Sequence, residues 1–318
     1  MQSHIDRATL ARATLGIGNP LHKSTRLREL LMKSSLKSKR FSALLLCGLF
    51  VSPMAWSQLY SADEGRVIYG HHHINTQDLE SQQRFWLEGL GGTVRTLGET
   101  GREVIAFPDV LVFLTDAAPT SGTRGTIVNH VGFETTDIYA DVARLQALGY
   151  RMITREELPE TYEVTGGIGR RVAGNTIAYV LGPDDIKVEL IENKAIAHPI
   201  QMHHIHWASE AGEEMREWYA ENLGAVSGLR IGQPAGQLPN VNLTFGPSDT
   251  RLAPTQGTVL DHIGFEVDDL KALCEELEAK GVVFDRPYAE IPALGLAIAF
   301  FTDPWGTYIE LTEGLDSI

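Results

Sequence analysis

Four histidines stand at the start of short apolar strands: His71, His130, His204 and His262. Two glutamates sit in later strands, Glu189 within Lys187-Val188-Glu189-Leu190 and Glu310 within Tyr308-Ile309-Glu310-Leu311. Such side chains serve as metal ligands, as proton carriers or as hydrogen-bonded structural groups. Strand alternation bears on the choice. It sets His262, Gly264 and Glu266 on one face and Ile263, Phe265 and Val267 on the other; Tyr308, Glu310 and Thr312 likewise oppose Ile309 and Leu311. The apolar faces pack beneath helices, which leaves the polar faces lining a cavity. Burying those groups without partners costs roughly 1–3 kcal/mol each. A divalent ion held by His204, His262 and Glu310 satisfies all three, and such a set leaves coordination positions open to substrate. His73 and His206, two residues beyond the first histidine of their strands, face the same side and are candidate acid–base catalysts. His72 and His203 alternate away and are not expected to be ligands. Glu134 and Glu266 face the cavity as groups that orient neighbours.

The elements that position these residues recur four times. Each histidine strand runs through an acidic turn into a segment with helical periodicity that ends on glycine: Gly91, Gly149, Gly224 and Gly281, at 20, 19, 20 and 19 residues from the histidine. The helical faces carry Leu79, Trp86 and Leu90; Ile138, Val142 and Leu145; Met215, Trp218 and Tyr219; and Leu270, Leu273 and Leu277. The closing glycines suit the left-handed position after a helix. About three short β-type runs follow each helix. The first unit is like the third (His-x-His) and the second like the fourth (His-[Val/Ile]-Gly-Phe-Glu), so the chain reads as a two-unit domain duplicated, with a linker near Lys194–Gln201. Residues 161–174, with Gly166, Gly167, Arg170 and Arg171, read as a loop over the first cavity. No strand and helix flank them in the way a phosphate-binding loop requires.

Charge and composition exclude several classes. Hydrophobic residues make up 43% and charged residues 21%, as in soluble globular proteins. Residues 1–57 hold nine Lys or Arg and two acids, so the chain's −14 becomes −21 once that +7 is set aside. A body this acidic repels nucleic acid and anionic lipid. Lys33, Lys37, Lys39 and Arg40 precede the apolar run Phe41–Val51 and then Ala55 and Ser57, the order of a secretory signal cleaved after Ser57. Met32 begins a signal of ordinary length, with residues 1–31 upstream of it. The expectation is an exported, periplasmic or secreted protein, free of the membrane after cleavage. Cys47 lies in that signal, and Cys274 falls at helical core spacing, so no intramolecular disulfide is expected.

Tandem strand–helix–three-strand units that open on His-Ile-Gly-Phe resemble the vicinal oxygen chelate superfamily. So do their closing segments, Gly-Pro-Asp-Asp-Ile-Lys-Val-Glu-Leu and Asp-Pro-Trp-Gly-Thr-Tyr-Ile-Glu-Leu. That superfamily includes glyoxalase I, extradiol dioxygenases and bleomycin-resistance proteins. The resemblance spans residues 67–315. It implies an α+β fold of four βαβββ modules paired into two tandem domains, 66–194 and 200–315, with mixed sheets curled around a cavity and helices outside. It also implies a second ligand set, His71, His130 and Glu189, with Lys187 beside the carboxylate. The implied cofactor is a divalent ion, iron(II) before manganese, zinc or nickel, and the implied partner is a small organic molecule with adjacent oxygens. Oxygenase and lyase or isomerase chemistry both follow from such a site; the alternative is a non-catalytic protein that sequesters a small molecule. The strands Val110–Phe113 and Val241–Thr244 lack the further carboxylate ligand usual in glyoxalase I. The segment Asn240-Val241-Asn242 stands where extradiol enzymes carry their acid–base histidine, and Phe300 replaces their tyrosine.

Overall fold

The computed structural model describes Leu59 and residues 65–98, 101–171 and 174–315; the segment expected to be an export signal, 1–57, lies outside the described residues. The first unit comprises β1 (Val67–Thr76), α1 (Leu79–Arg84), β2 (Thr93–Leu97), β3 (Arg102–Phe107) and β4 (Val110–Asp116). The second comprises β5 (Val128–Thr135), α2 (Ile138–Ala147), β6 (Arg151–Met152), α3 (Thr154–Glu157), β7 (Glu163–Thr165), β8 (Ile168–Arg170), β9 (Thr176–Leu181) and β10 (Lys187–Glu192). The third has β11 (Ile200–Ser209), α4 (Gly212–Leu223), β12 (Val226–Arg230), β13 (Gln233–Leu238) and β14 (Val241–Pro247). The fourth has β15 (Leu260–Val267), α5 (Leu270–Ala279), β16 (Phe284–Ile291), β17 (Leu296–Thr302) and β18 (Tyr308–Glu313).

Local signals account for most of these boundaries. Asp78, Asp137 and Asp269 cap α1, α2 and α5, each side chain accepting from a backbone N–H three residues on. All four closing glycines have positive φ, between 74° and 93°. The inward faces of α2, α4 and α5 bury Val142, Met215, Tyr219 and Leu273 among others, and Cys274 is buried on α5. The first helix departs from expectation. It ends at Arg84 and continues as a π-helical turn, Phe85–Gly89, which brings Phe85 and Trp86 into the core and leaves Leu79 39% exposed. Residues 163–170 are likewise not a loop. They form the hairpin β7–β8 at the sheet edge, with Gly166 and Gly167 at positive φ in its turn. No helix among the described residues is long and apolar enough to cross a membrane.

Two antiparallel seams, one in each mixed sheet, set the topology. β1 pairs antiparallel with β15, and β5 with β11. Each seam strand is flanked on its other side by the last strand of its own unit, in parallel: β4 beside β1, β18 beside β15, β10 beside β5 and β14 beside β11. One sheet therefore runs β16-β17-β18-β15-β1-β4-β3-β2, and the other runs β12-β13-β14-β11-β5-β10-β9-β8-β7. Units one and four share a sheet, and so do units two and three.

Candidate metal centres

This pairing regroups the expected ligands. His71 joins His262 and Glu310, whereas His204 joins His130 and Glu189. The groupings His71–His130–Glu189 and His204–His262–Glu310 are thus corrected, although all six residues lie in one or other cluster. The seam register is the physical reason: His71 lies opposite Gly264 and His73 opposite His262, just as His204 lies opposite Gly132 and His206 opposite His130. A repeat offset cannot distinguish pairing within a copy from pairing across copies, because units one and three carry the same histidine.

Glycine makes the seam possible. A Cβ at Gly264 would stand 1.9 Å from Cε1 of His71, and a Cβ at Gly132 would stand 1.9 Å from Cε1 of His204. The Gly of His-[Val/Ile]-Gly-Phe is therefore the cradle for a histidine on the partner strand. That signal was present in the sequence, but Gly132 and Gly264 offer the same cradle, so it did not say which histidine each receives.

In the first cluster, Nε2 of His71 lies 2.9 Å and Nε2 of His262 3.0 Å from the same oxygen, Oε2 of Glu310. In the second, Nε2 of His130 and Nε2 of His204 lie 2.8 Å and 3.0 Å from Oε2 of Glu189, and 3.3 Å from each other. Ligand atoms on one face of an octahedral ion with bonds of about 2.1 Å are separated by about 3 Å. The spacing in both clusters fits. The tautomers point the same way at His262. Its Nδ1 lies 2.6 Å from Oδ1 of Asp261. With the ring proton donated there, Nε2 turns a lone pair toward Glu310, a contact that a shared cation or a second proton must hold. His73 and His206 complete the two groups. Nε2 of His73 lies 2.6 Å from the Thr115 hydroxyl, and its ring stacks on Phe113.

Burial lowers His71 and His130 below the ordinary imidazole value against the pull of their glutamates. It takes His204 to about 4 and His73 to about 3. His262 is the exception: burial opposes protonation there, but the bonds to Asp261 and Glu310 outweigh it and raise the value. Burial pushes both glutamates up, yet their imidazole partners hold both below the usual carboxylate range.

The other flagged residues have structural roles. His72 is buried against Tyr69, Trp86 and Phe133. His203 is half-buried, with Nδ1 2.8 Å from Nδ1 of His204. Glu266 accepts from the backbone of Gly314 and Leu315 and from Thr312, fixing the chain after β18. Glu134 accepts from Asn193. Lys187 pairs with Glu157 at 2.7 Å.

The first cluster lies in the wall of a cavity of about 460 Å³, within the range of small-molecule sites. Phe113, Leu296, Ile298 and Phe300 supply much of its apolar wall, and Arg102 and Arg286 also line it.

The solved structure of glyoxalase I from Zea mays superposes with a TM-score of 0.60 at 18% identity, covering 79% of this chain and 94% of that one. A putative dioxygenase from Bacillus subtilis superposes with a TM-score of 0.55 at 13% identity, covering 77% and 84%. At such identities the likeness is one of fold. No curated protein matches the sequence significantly. The family model for the Glyoxalase/Bleomycin resistance protein/Dioxygenase superfamily matches twice in tandem, over residues 68–190 and 172–311. With two matches spanning most of the chain and a fold to agree, this protein is a member of the Glyoxalase/Bleomycin resistance protein/Dioxygenase superfamily.

Proposed function

We propose that the chain is an exported metal-dependent enzyme acting on a small organic substrate through two adjacent oxygens, at the cluster of His71, His262 and Glu310. The observation that carries the reading is the convergence of two Nε2 atoms on Oε2 of Glu310, within 3.0 Å, in the wall of the 460 Å³ cavity. A divalent ion there, iron(II) in preference to manganese, zinc or nickel, supplies Lewis-acid polarisation or a site for oxygen chemistry. The protein's own residues do the rest. Asp261 orients His262, Gly264 admits the His71 ring, and Phe113 and Phe300 wall the space around the substrate. His73 Nε2, beside Thr115, carries the proton that leaves a substrate hydroxyl. His206 is its counterpart in the cluster of His130, His204 and Glu189, which holds a second ion.

The wall offers Phe113 and Thr115 on the β4 side, with no carboxylate between them. A three-ligand set of this kind favours an oxygenase over a lyase. Elemental analysis of anaerobically purified protein, followed by oxygen uptake with catechols and 1,2-diketones, tests the reading. Two equivalents of iron with substrate-dependent uptake are expected. No metal after reconstitution with iron, manganese, zinc and nickel in turn would overturn it. Export is supported by the basic, apolar and small-residue order of residues 33–57. N-terminal sequencing should find Gln58 first; a mature protein beginning at Met1 would contradict export.

A further inference from the structure

His203 breaks the alternation of its strand. In the β5–β11 seam Met202 lies opposite Phe133 and His204 opposite Gly132, which makes His203 the extra residue of a β-bulge. The bulge sets its ring beside that of His204 instead of on the far face: the centroids are 5.0 Å apart, and the two Nδ1 atoms lie 2.8 Å from each other. On its other side, Nε2 of His203 lies 3.6 Å from Oε1 of Glu134. That carboxylate is itself held by the side-chain amides of Asn193 at 2.9 Å and Gln201 at 3.5 Å. The β1–β15 seam has a bulge at the matching place, between Tyr69 and His71, but its extra residue is Gly70. Nδ1 of His71 accordingly has no hydrogen-bond partner among the described residues. Glu266, the counterpart of Glu134, accepts instead from Thr312, Gly314 and Leu315.

The contacts fix where the protons sit. A neutral histidine that offers Nε2 to a cation carries its proton on Nδ1. In His204 that proton faces Nδ1 of His203, which must accept it. A ring that accepts at Nδ1 carries its own proton on Nε2, here toward Glu134. The geometry points to His203 and Glu134 as positioning residues of the second ion site: Glu134 orients His203, His203 accepts from His204, and His204 turns the lone pair of Nε2 toward Glu189 and His130. Asn129 does the matching work for the other histidine of that cluster, with Oδ1 2.9 Å from Nδ1 of His130. The assignment rests on the reading of this cluster as a metal site. It goes beyond that reading by giving the second seam an outer layer that Gly70 denies to the first.

Zinc titration against a chromophoric chelator tests the relay in the full chain carrying Glu310→Ala, where the second site alone is left to bind. His203→Phe keeps an aromatic ring but removes the acceptor, and should weaken zinc about 10–100-fold, the scale for groups that orient a ligand histidine. His203→Asn, whose side-chain oxygen can accept as that of Asn129 does, should retain most of the affinity. Glu134→Gln should weaken zinc by less than His203→Phe, and should have no effect once His203→Asn is present, because the two residues act in series. Nitrogen-15 NMR of the zinc-loaded wild type supplies a readout independent of any substitution: His203 should carry its proton on Nε2 alone. Equal zinc affinities in the phenylalanine and asparagine variants, or a His203 proton on Nδ1, would overturn the relay and leave the metal site standing. Failure of the folded Glu310→Ala protein to bind any zinc would overturn the second site and this inference with it.

Discussion

At the β1–β15 seam the group behind the ligand histidine is a carboxylate, Asp261 on His262; at the β5–β11 seam the same place holds an amide, Asn129 on His130 at 2.9 Å. The surroundings diverge in the same sense. Glu310 keeps 12% of its side chain exposed toward a cavity walled by Phe113, Phe300 and aliphatic residues. Glu189 keeps 5%, with Tyr179 against His130, Lys187 over Tyr179, and Arg230 bonded to Thr244 nearby. The same ligand geometry is thus set in an open apolar cup on one side and in a packed polar shell on the other. The difference teaches that the same candidate ligand arrangement recurs at both seams in unlike surroundings, with the cavity of about 460 Å³ beside the first.

Substitutions at matched positions should separate the two. The largest contrast concerns the carboxylates. Glu310→Ala should remove one ion and lower kcat by about 10²–10³-fold or more, the usual scale for losing a preorganised electrostatic contact. Glu189→Ala should also remove one ion, with its main effect on melting temperature. Equal losses of turnover in both variants would break the division of roles. Next in size, Gly264→Ala should force the His71 ring out of place, abolish the ion at that seam alone, and cost about 1–3 kcal/mol by overpacking. Gly132→Ala should do the same to His204 and the other ion. Urea unfolding combined with metal analysis reads both effects.

A subtler exchange swaps the supporting groups. Asp261→Asn should weaken metal affinity at the first seam by about 10–100-fold, as for other residues that orient a ligand histidine, and Asn129→Asp should strengthen it at the second. Competition with a chromophoric chelator measures both. If neither changes, the carboxylate–amide difference is incidental.

The smallest expected effect is on pH dependence. Burial lowers His72 to about 3, against an unfolded value near 6.5, so between these values the unfolded chain binds a proton that the native protein does not. Stability is then complete above pH about 6.5 and falls as the pH drops toward 3, by up to about 1.4 kcal/mol per unit for this residue. His72→Phe should flatten the acid limb of the stability curve measured by urea unfolding of the metal-free protein. An unchanged slope would mean that the imidazole is not buried neutral.

Much of this architecture could be read from residue patterns. The four histidine-to-glycine spacings, the aspartate caps and the apolar helical faces are local, and local chemistry decided them. The six candidate ligands were legible too, since burying histidine and glutamate in apolar strands demands a partner. Their grouping was not, because His71 and His204 occupy equivalent positions, and strand pairing between distant segments is settled by register and packing. The hairpin at 163–170 went unread because its strands are three residues each, below the length at which alternation shows. The asymmetry of Asp261 and Asn129 was in view but meaningless until each was seen against a ligand imidazole.

The most direct test of the cross-copy pairing is the metal content of two double variants. If His71 and Glu310 hold the same ion, His71→Ala with Glu310→Ala should lose one of two equivalents and retain the other. His71→Ala with Glu189→Ala should then lose both. The reverse pattern, both ions lost in the first variant and one retained in the second, would place His71 with Glu189 and contradict the account.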